Sequence, residues 1–365
     1  MGSVQETYLI VGAGLFGAST ALHLKRSSPS AIVTLLDRTP FPCPSGAAHD
    51  LNKIIRAGYD DIFYVKLALE ALKLWRSDPI YQPYYHECGM LFSEYWGMGR
   101  AAFEHYKTIG EDFDAEMTTP EAAKARFPMF RDANWDDVRE NFYDARAGWA
   151  DAAPCLRSLI QAAVEEGVAY KVAPVSTISI DQGTCTGVRL ENGQELRADH
   201  VLLCTGAQTA KLLADSAPAD KELQVNGRLV AAAAVTCAAK LTPEQMEKFK
   251  DVPVFFNGMD HTHGNPSQPI LHLELVLLTV RGVIGECIPP TSDGMLKFTY
   301  EVSFINMVHH QKSNQDISVP PKPVSQSTWS QDVPEGLKQE VRMVMRHMYG
   351  KEIEGIEPED YRMCW

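Results

Sequence analysis

The chain has 365 residues, 45% hydrophobic and 22% charged, with 34 Lys and Arg against 47 Asp and Glu for a formal net charge of -13. That length calls for two domains, because single cores stop growing at roughly 250 to 300 residues. The acidic surplus argues against nucleic acid or an anionic membrane surface as partner, since phosphate binding needs clustered Lys and Arg. The richest apolar stretch, 270–280, is interrupted by His272 and Glu274, so no membrane span is expected.

The first element in chain order is the apolar run Tyr8-Leu9-Ile10-Val11. It leads into Gly12-Ala13-Gly14-Leu15-Phe16-Gly17 and a helix-like stretch to Lys25, then a second apolar run, 31–36, and Asp37. Strand, glycines, helix, strand and acid fall in register as a dinucleotide-binding βαβ unit. Gly12 permits the tight turn, Gly14 lets the backbone approach a pyrophosphate, and Gly17 allows helix to pack on strand. Leu15 and Phe16 open the helix whose N-terminus faces the phosphates. Asp37, with Arg38 beside it, is placed to accept ribose hydroxyls. The motif alone leaves FAD and NAD both open. No basic-then-apolar leader precedes the first strand, and Glu6 breaks the myristoylation pattern that Gly2 suggests, so an intracellular product is expected.

Residues 61–75 carry Ile62, Val65, Leu69 and Leu72 at helical spacing and predict an amphipathic helix. From 81 to about 139 the composition turns aromatic, with a strand over 89–92 and a capped helix over 119–126, which reads as an excursion into a second domain. A helix over 152–166 follows, then strands over 169–172, 176–180 and 185–190. Val201-Leu202-Leu203-Cys204-Thr205-Gly206-Ala207 is an apolar strand ending in a glycine turn, the form a nucleotide domain needs where backbone meets cofactor. Gly206 is therefore assigned to the cofactor, and Val175 is expected to bind it as well. Strand-like runs dominate 229–300, and 318–334 reads as an exposed connection. The eight cysteines form no C-x-x-C pair, so no metal site or disulfide framework is expected, and most read as buried packing residues.

This order resembles glutathione-reductase-like flavoproteins. Four further segments narrow it: Ser45-Gly46-Ala47-Ala48-His49-Asp50-Leu51-Asn52-Lys53-Ile54-Ile55-Arg56, Ala147-Gly148-Trp149, Gly294-Met295-Leu296-Lys297-Phe298, and Tyr361-Arg362-Met363-Cys364-Trp365. Together they resemble the sarcosine oxidase and fructosyl amino acid oxidase family of FAD-dependent amine oxidases. The likeness leans to fungal fructosyl amino acid oxidases through Asp50 to Ile54. The resemblance implies an α/β fold, with a parallel-sheet FAD-binding domain and a second α+β domain built on a mainly antiparallel sheet. The FAD-binding domain would take 1–85 and 140–215, rejoined near 355–365, and the substrate domain 86–139 and 216–354.

The resemblance also implies roles. Cys364, on a flavin-attachment turn, would form a thioether to the flavin. Lys297 would lie on the oxygen side and stabilise the negative charge that dioxygen acquires. Arg56 would hold a substrate carboxylate with its guanidinium fork, and Lys53 would lie at the flavin face. Ser45 and His49 belong to the flavin-facing loop. From the residues alone, Arg56 could instead pair with Asp50 or Asp60, and Lys297 could be a surface lysine on a hairpin. The implied reaction is oxidation of a secondary amine, a fructosyl or other N-substituted amino acid, by a hydride passing to FAD. The imine hydrolyses and dioxygen leaves as hydrogen peroxide. Partners are then a small amino acid derivative and dioxygen, with a monomer expected in the cytoplasm or peroxisome. Sarcosine, pipecolate, saccharopine and secondary-metabolite amines stay open as substrates.

Two features depart from the family pattern. The chain stops one residue after Cys364, where the family continues for several dozen residues, and 264–282 fits no part of the pattern. The expectation is a translated intron at 264–282 and a truncated gene model. Two readings from other classes remain beside the oxidase: an NAD-dependent dehydrogenase on the same βαβ unit, and a non-catalytic remnant.

Overall fold

The computed structural model describes residues 5–94, 97–110, 113–136, 138–260, 282–321, 329 and 331–365. β1 (Thr7–Val11), α1 (Leu15–Ser27) and β2 (Ile32–Asp37) form the βαβ unit that the glycines predict. Gly12 holds φ at 100°, and a Cβ there would lie 2.3 Å from the Cys204 carbonyl oxygen. A Cβ on Gly17 would lie 1.8 Å from the Gly12 carbonyl oxygen, so α1 reaches the turn only because none is present. Gly14, the N-cap of α1, would instead send a Cβ into open space.

β3 (Asn52–Ile55) and α2 (Ile62–Ser77) follow. The Asp61 carboxylate caps α2 by accepting the Phe63 N–H at 2.8 Å, and Val65, Leu69 and Leu72 turn inward at the predicted spacing. Next come β4 (Tyr85–Glu87), β5 (Met90–Glu94), α3 (Met98–Ile109), β6 (Ala115–Thr118) and α4 (Pro120–Arg126), which is capped by Thr119. β7 (Asn141–Asp144) and β8 (Gly148–Asp151) lead into α5 (Ala152–Glu165). Leu156, Leu159, Ile160 and Ala163 of α5 pack with Ala18, Ala21 and Leu22 of α1.

The chain then runs through β9 (Ala169–Val172), β10 (Val175–Asp181), β11 (Thr184–Leu190), β12 (Glu195–Arg197), β13 (His200–Leu203) and α6 (Thr209–Ser216). β13, β1, β2 and β9 make one parallel sheet in that order, so the apolar strand before Gly206 returns beside the first strand of the chain. β10, β11 and β12 form an antiparallel sheet, and β3, β8 and β4 another.

The remaining elements are β14 (Ala233–Lys240), α7 (Pro243–Phe249), β15 (Val254–Asp260), β16 (Gly282–Ile288), β17 (Met295–Phe304), β18 (Met307–His310), β19 (Gln315–Ser318), α8 (Glu335–Tyr349) and β20 (Asp360–Cys364). An eight-stranded sheet runs β20-β14-β17-β16-β15-β5-β7-β6, antiparallel except where β15 meets β5. Side chains alternate across it. Val235, Cys237, Phe298, Tyr300 and Tyr361 pack under Val341, Val344, Met345 and Met348 of α8. The opposite face carries Thr236, Glu286, Lys297, Thr299, Glu301 and Arg362, which positions the site.

The segment 361–365, expected as a turn, is therefore an edge strand: Cys364 pairs with Ala234 and Arg362 with Thr236. The reason is its two-residue alternation, with Tyr361 and Met363 packed toward α8. On its outer side Gln331 donates its N–H to the Tyr361 carbonyl at 3.2 Å and accepts the Met363 N–H on its side-chain oxygen at 3.0 Å. Residues 264–281 of the suspected intron lie outside the described residues. No helix among the described residues is long and apolar enough to cross a membrane.

Two neighbouring glycines should separate folding from binding. Gly17→Ala drives a methyl into the Gly12 carbonyl and is expected to cost at least about 2 kcal/mol of stability. Gly14→Ala, with open space at its Cβ, should cost less than about 1 kcal/mol. Denaturant unfolding of both variants checks the order.

Candidate active site

The site is built around a buried carboxylate. Asp50, 3% exposed, ends a tight loop in which the Gly46 N–H donates to the Cys43 carbonyl at 3.2 Å and the His49 N–H to the Gly46 carbonyl at 3.0 Å. Its Oδ2 lies 2.7 Å from Lys53 Nζ and 2.8 Å from Lys297 Nζ, and its Oδ1 lies 3.3 Å from Arg362 Nη1. Burial by itself pushes the Asp50 carboxyl up. The charges of Lys297, Lys53 and Arg362 outweigh it and hold the group well below the usual carboxylate range.

Each cation has further ties. Lys297, 1% exposed, also donates to the Asn52 carbonyl at 3.0 Å, which rules out the surface-hairpin reading. Arg362 donates to the His49 carbonyl at 2.8 Å and the Gly46 carbonyl at 3.1 Å, clamping loop 46–50 to β20. Lys53 Nζ lies 3.6 Å from the Cys364 sulfur, so the terminal cysteine is brought to the same cluster. Burial, and next the Arg362 charge, lower the readiness of His49 to protonate.

A row of paired residues crosses the inner face of the large sheet: Phe142, Phe92, Phe256, Glu286, Thr299, Thr236, Arg362. Lys297 stands two residues to one side of it on β17 and Glu301 two to the other. Burial pushes the Glu301 carboxyl up to about 8, helped by the charge and hydrogen bond of Glu286. At the aromatic end of the row, the Arg56 guanidinium stacks 4.1 Å over Tyr59 and lies 6.0 Å from the Phe92 ring, which itself stacks on Phe256 at 4.4 Å. Arg56 donates to the Gly58 carbonyl and lines a small recess with Met90, Phe92, Met98 and Phe142. Among the described residues neither Asp50 nor Asp60 takes an ion pair with it.

The residues expected to hold the nucleotide gather around the glycine turn after β1. Asp37 Oδ2 accepts the Ala13 N–H at 2.8 Å and Oδ1 the Arg38 N–H at 2.7 Å, which fixes the carboxylate over the glycine turn. The Asp37 carbonyl accepts the Ala173 N–H at 2.7 Å and so draws Val175 alongside. Gly206, with φ at 52°, opens the turn after β13. Leu15 and Phe16 are exposed at the start of α1, Phe16 at 81%, and Arg38 is exposed. Ser45 Oγ sits 3.4 Å from the Cys43 sulfur. This set fits a dinucleotide: the Cβ position of Gly14 is open where those of Gly12 and Gly17 are filled by backbone, and the α1 N-terminus carries no acid in its first turn. Asn52, fully buried beside Lys297, leaves both side-chain amide atoms without a protein partner, which fits a polar group bound there.

A family model described as FAD dependent oxidoreductase matches residues 7–264. The chain belongs to this family. The match decides between the two dinucleotides that the glycine motif leaves open. Among curated relatives, L-saccharopine oxidase of Schizosaccharomyces pombe is 29% identical over 288 residues, 74% of this chain and 64% of that protein. Amino acid oxidase fsqB of Aspergillus fumigatus is 27% identical over 252 residues, 58% of this chain and 50% of that protein. The chain thus spans less than two thirds of the length of either. The crystal structure of fructosamine oxidase from Aspergillus fumigatus (Amadoriase II) in complex with FSA superposes with a TM-score of 0.75 at 26% identity, covering 99% of this chain and 76% of that one.

In this member of the FAD dependent oxidoreductase family, the sequence pattern did not single out Asp50 as the centre of the cluster, Arg362 as its third cation, or the Glu286 and Glu301 pair. A signal was available: Lys297, Thr299 and Glu301 alternate with Leu296, Phe298 and Tyr300, the pattern of a strand with one apolar and one polar face. A separate cleft of about 620 Å³, lined by Asp132, Arg342, Arg346 and Lys351, opens beside the C-terminal end of α8 and includes none of these groups.

Asp50→Asn removes the anion from three cations and is expected to cost about 3 to 5 kcal/mol. Because folding depresses the Asp50 carboxyl, its stabilisation is full above the unfolded value near 4 and is lost as the pH falls toward the folded one. Denaturant unfolding from neutral pH downward should show a steep acid loss in the unmodified chain that Asp50→Asn lacks.

Proposed function

We propose that this chain is an FAD-dependent oxidase of secondary amines that takes an N-substituted amino acid, such as a fructosyl amino acid, and releases hydrogen peroxide. The observation that carries the reading is the buried Lys297 ammonium, held by Asp50 on the sheet face between Arg56 and Cys364. Relatives that include a saccharopine oxidase and a fructosamine oxidase support the same reaction class. When bound, FAD supplies the hydride acceptor for the carbon beside the substrate nitrogen and the electrons for dioxygen.

The chain's own residues do the rest. Gly12, Gly14, Gly17, Asp37, Val175 and Gly206 hold the dinucleotide. Arg56, its planar fork stiffened by Tyr59, orients the substrate carboxylate. Phe92 and Phe256 wall that end of the site and exclude water. Lys297 offers a fixed positive charge, out of water, to the charge that develops as dioxygen is reduced. Cys364, beside the Lys53 ammonium, is the residue that attaches the flavin. With this goes the two-part division, FAD binding by 1–85 and 140–215 and substrate binding by 86–139 and 216–354, Cys364 lying on the edge of the larger sheet.

Lys297→Met should slow oxygen consumption by the reduced protein about 100-fold, equivalent to about 2.7 kcal/mol, while reduction by substrate under anaerobic conditions changes little. Anaerobic reduction followed by mixing with oxygenated buffer separates the two; a loss confined to reduction assigns Lys297 to substrate binding instead. Acid precipitation tests Cys364: yellow colour should stay with the precipitated protein and pass to the supernatant in Cys364→Ala.

A further inference from the structure

Glu286 and Glu301 lie on adjacent antiparallel strands. Glu286 pairs with Thr299, which places Glu301 diagonally across from it on the same face, where two long side chains come within reach of each other. Two carboxyl groups so placed resist ionising together, and the Glu286 charge adds to desolvation in raising Glu301, which favours a proton on one of them. The charged groups that face Glu301 are Glu286 from β16, Lys297 from its own strand and Lys53 from β3. Arg362 and Cys364 stand across β14 on β20. Lys297 is already committed to Asp50 and the Asn52 carbonyl, and Lys53 to Asp50, so neither cation replaces the shared proton.

The charge count gives the pair a consequence. Lys297, Lys53 and Arg362 against Asp50 leave two positive charges. One negative charge on the pair reduces that to one, and two negative charges reduce it to none.

We propose that Glu286 and Glu301 hold one proton between them and thereby set the charge of the substrate-facing side of the sheet, so that a carboxylate ligand binds while the proton is held and is released as it leaves. This rests on the reading of that face as the substrate site. The proton is a property of the pair, whereas the effect on ligand depends on the site.

Two measurements on the purified holoprotein separate these parts, using the unmodified chain, Glu301→Gln and Glu286→Gln, both near-isosteric. Difference infrared spectra between about pH 7 and about pH 9 should show a protonated carboxyl band lost as the pH rises. That band should be missing in Glu301→Gln and lost at lower pH in Glu286→Gln, where the neighbouring charge is gone. Titration of the flavin absorbance with acetate should show binding about tenfold weaker at the higher pH, a dependence that flattens in Glu301→Gln. Absence of a Glu301-dependent carboxyl band at neutral pH, or an unchanged transition in Glu286→Gln, overturns the shared proton. A band that behaves as expected beside a pH-independent acetate affinity overturns the placement of substrate on this face and leaves the pair without the role given to it.

Discussion

The gathering of three cations around the single Asp50 carboxylate is the constraint from which the site is assembled. Lys53 comes from β3, Lys297 from β17 and Arg362 from β20, and none of these strands neighbours another except through β14 between β17 and β20. A buried carboxylate in that position ties the loop after the nucleotide unit to the centre and edge of the large sheet. Charges so enclosed would repel one another strongly without it. The arrangement leaves an excess of positive charge, the property on which the proposed oxidase reaction draws. Structure and chemistry therefore ask for the same residue.

The large sheet separates two tasks by the alternation of its strands. One face is apolar and anchored by α8, whose Val341, Val344, Met345 and Met348 fill it. Gly285 shows how close that packing is, since a Cβ there would lie 2.5 Å from Val344 Cγ1. The other face holds the ionisable groups at fixed spacing, and a rigid backing keeps them there. A one-residue slip of β17 would exchange the two faces and turn Lys297 into the core.

Much of the nucleotide unit was legible because its signals are local: the glycines, the strand before them and Asp37 all fall within 31 residues at either end of one βαβ unit. The apolar spacing of α2 and the Thr119 cap of α4 were legible for the same reason, whereas the Asp61 cap of α2 was not read from the sequence. Lys297, Arg56 and Cys364 were found through motif likeness rather than periodicity. Asp50 was weighed only as a partner for Arg56, and its central place was not legible because two of its three cations lie 247 and 312 positions away in the sequence. β20 was read as a turn because a five-residue stretch at the end of a chain shows too few alternations to be recognised, and α8 was not anticipated although its apolar spacing is regular.

Among the described residues, the strand bearing Cys364 stands at the end of its sheet, with one side facing away from β14. Such a side is normally a template on which a stray strand from another molecule can add. Here Gln331 mimics a neighbouring strand over two positions, its own N–H meeting the Tyr361 carbonyl and its side-chain oxygen meeting the Met363 N–H. A single glutamine thus acts as a molecular doorstop, occupying over two positions the backbone groups that a further strand would use.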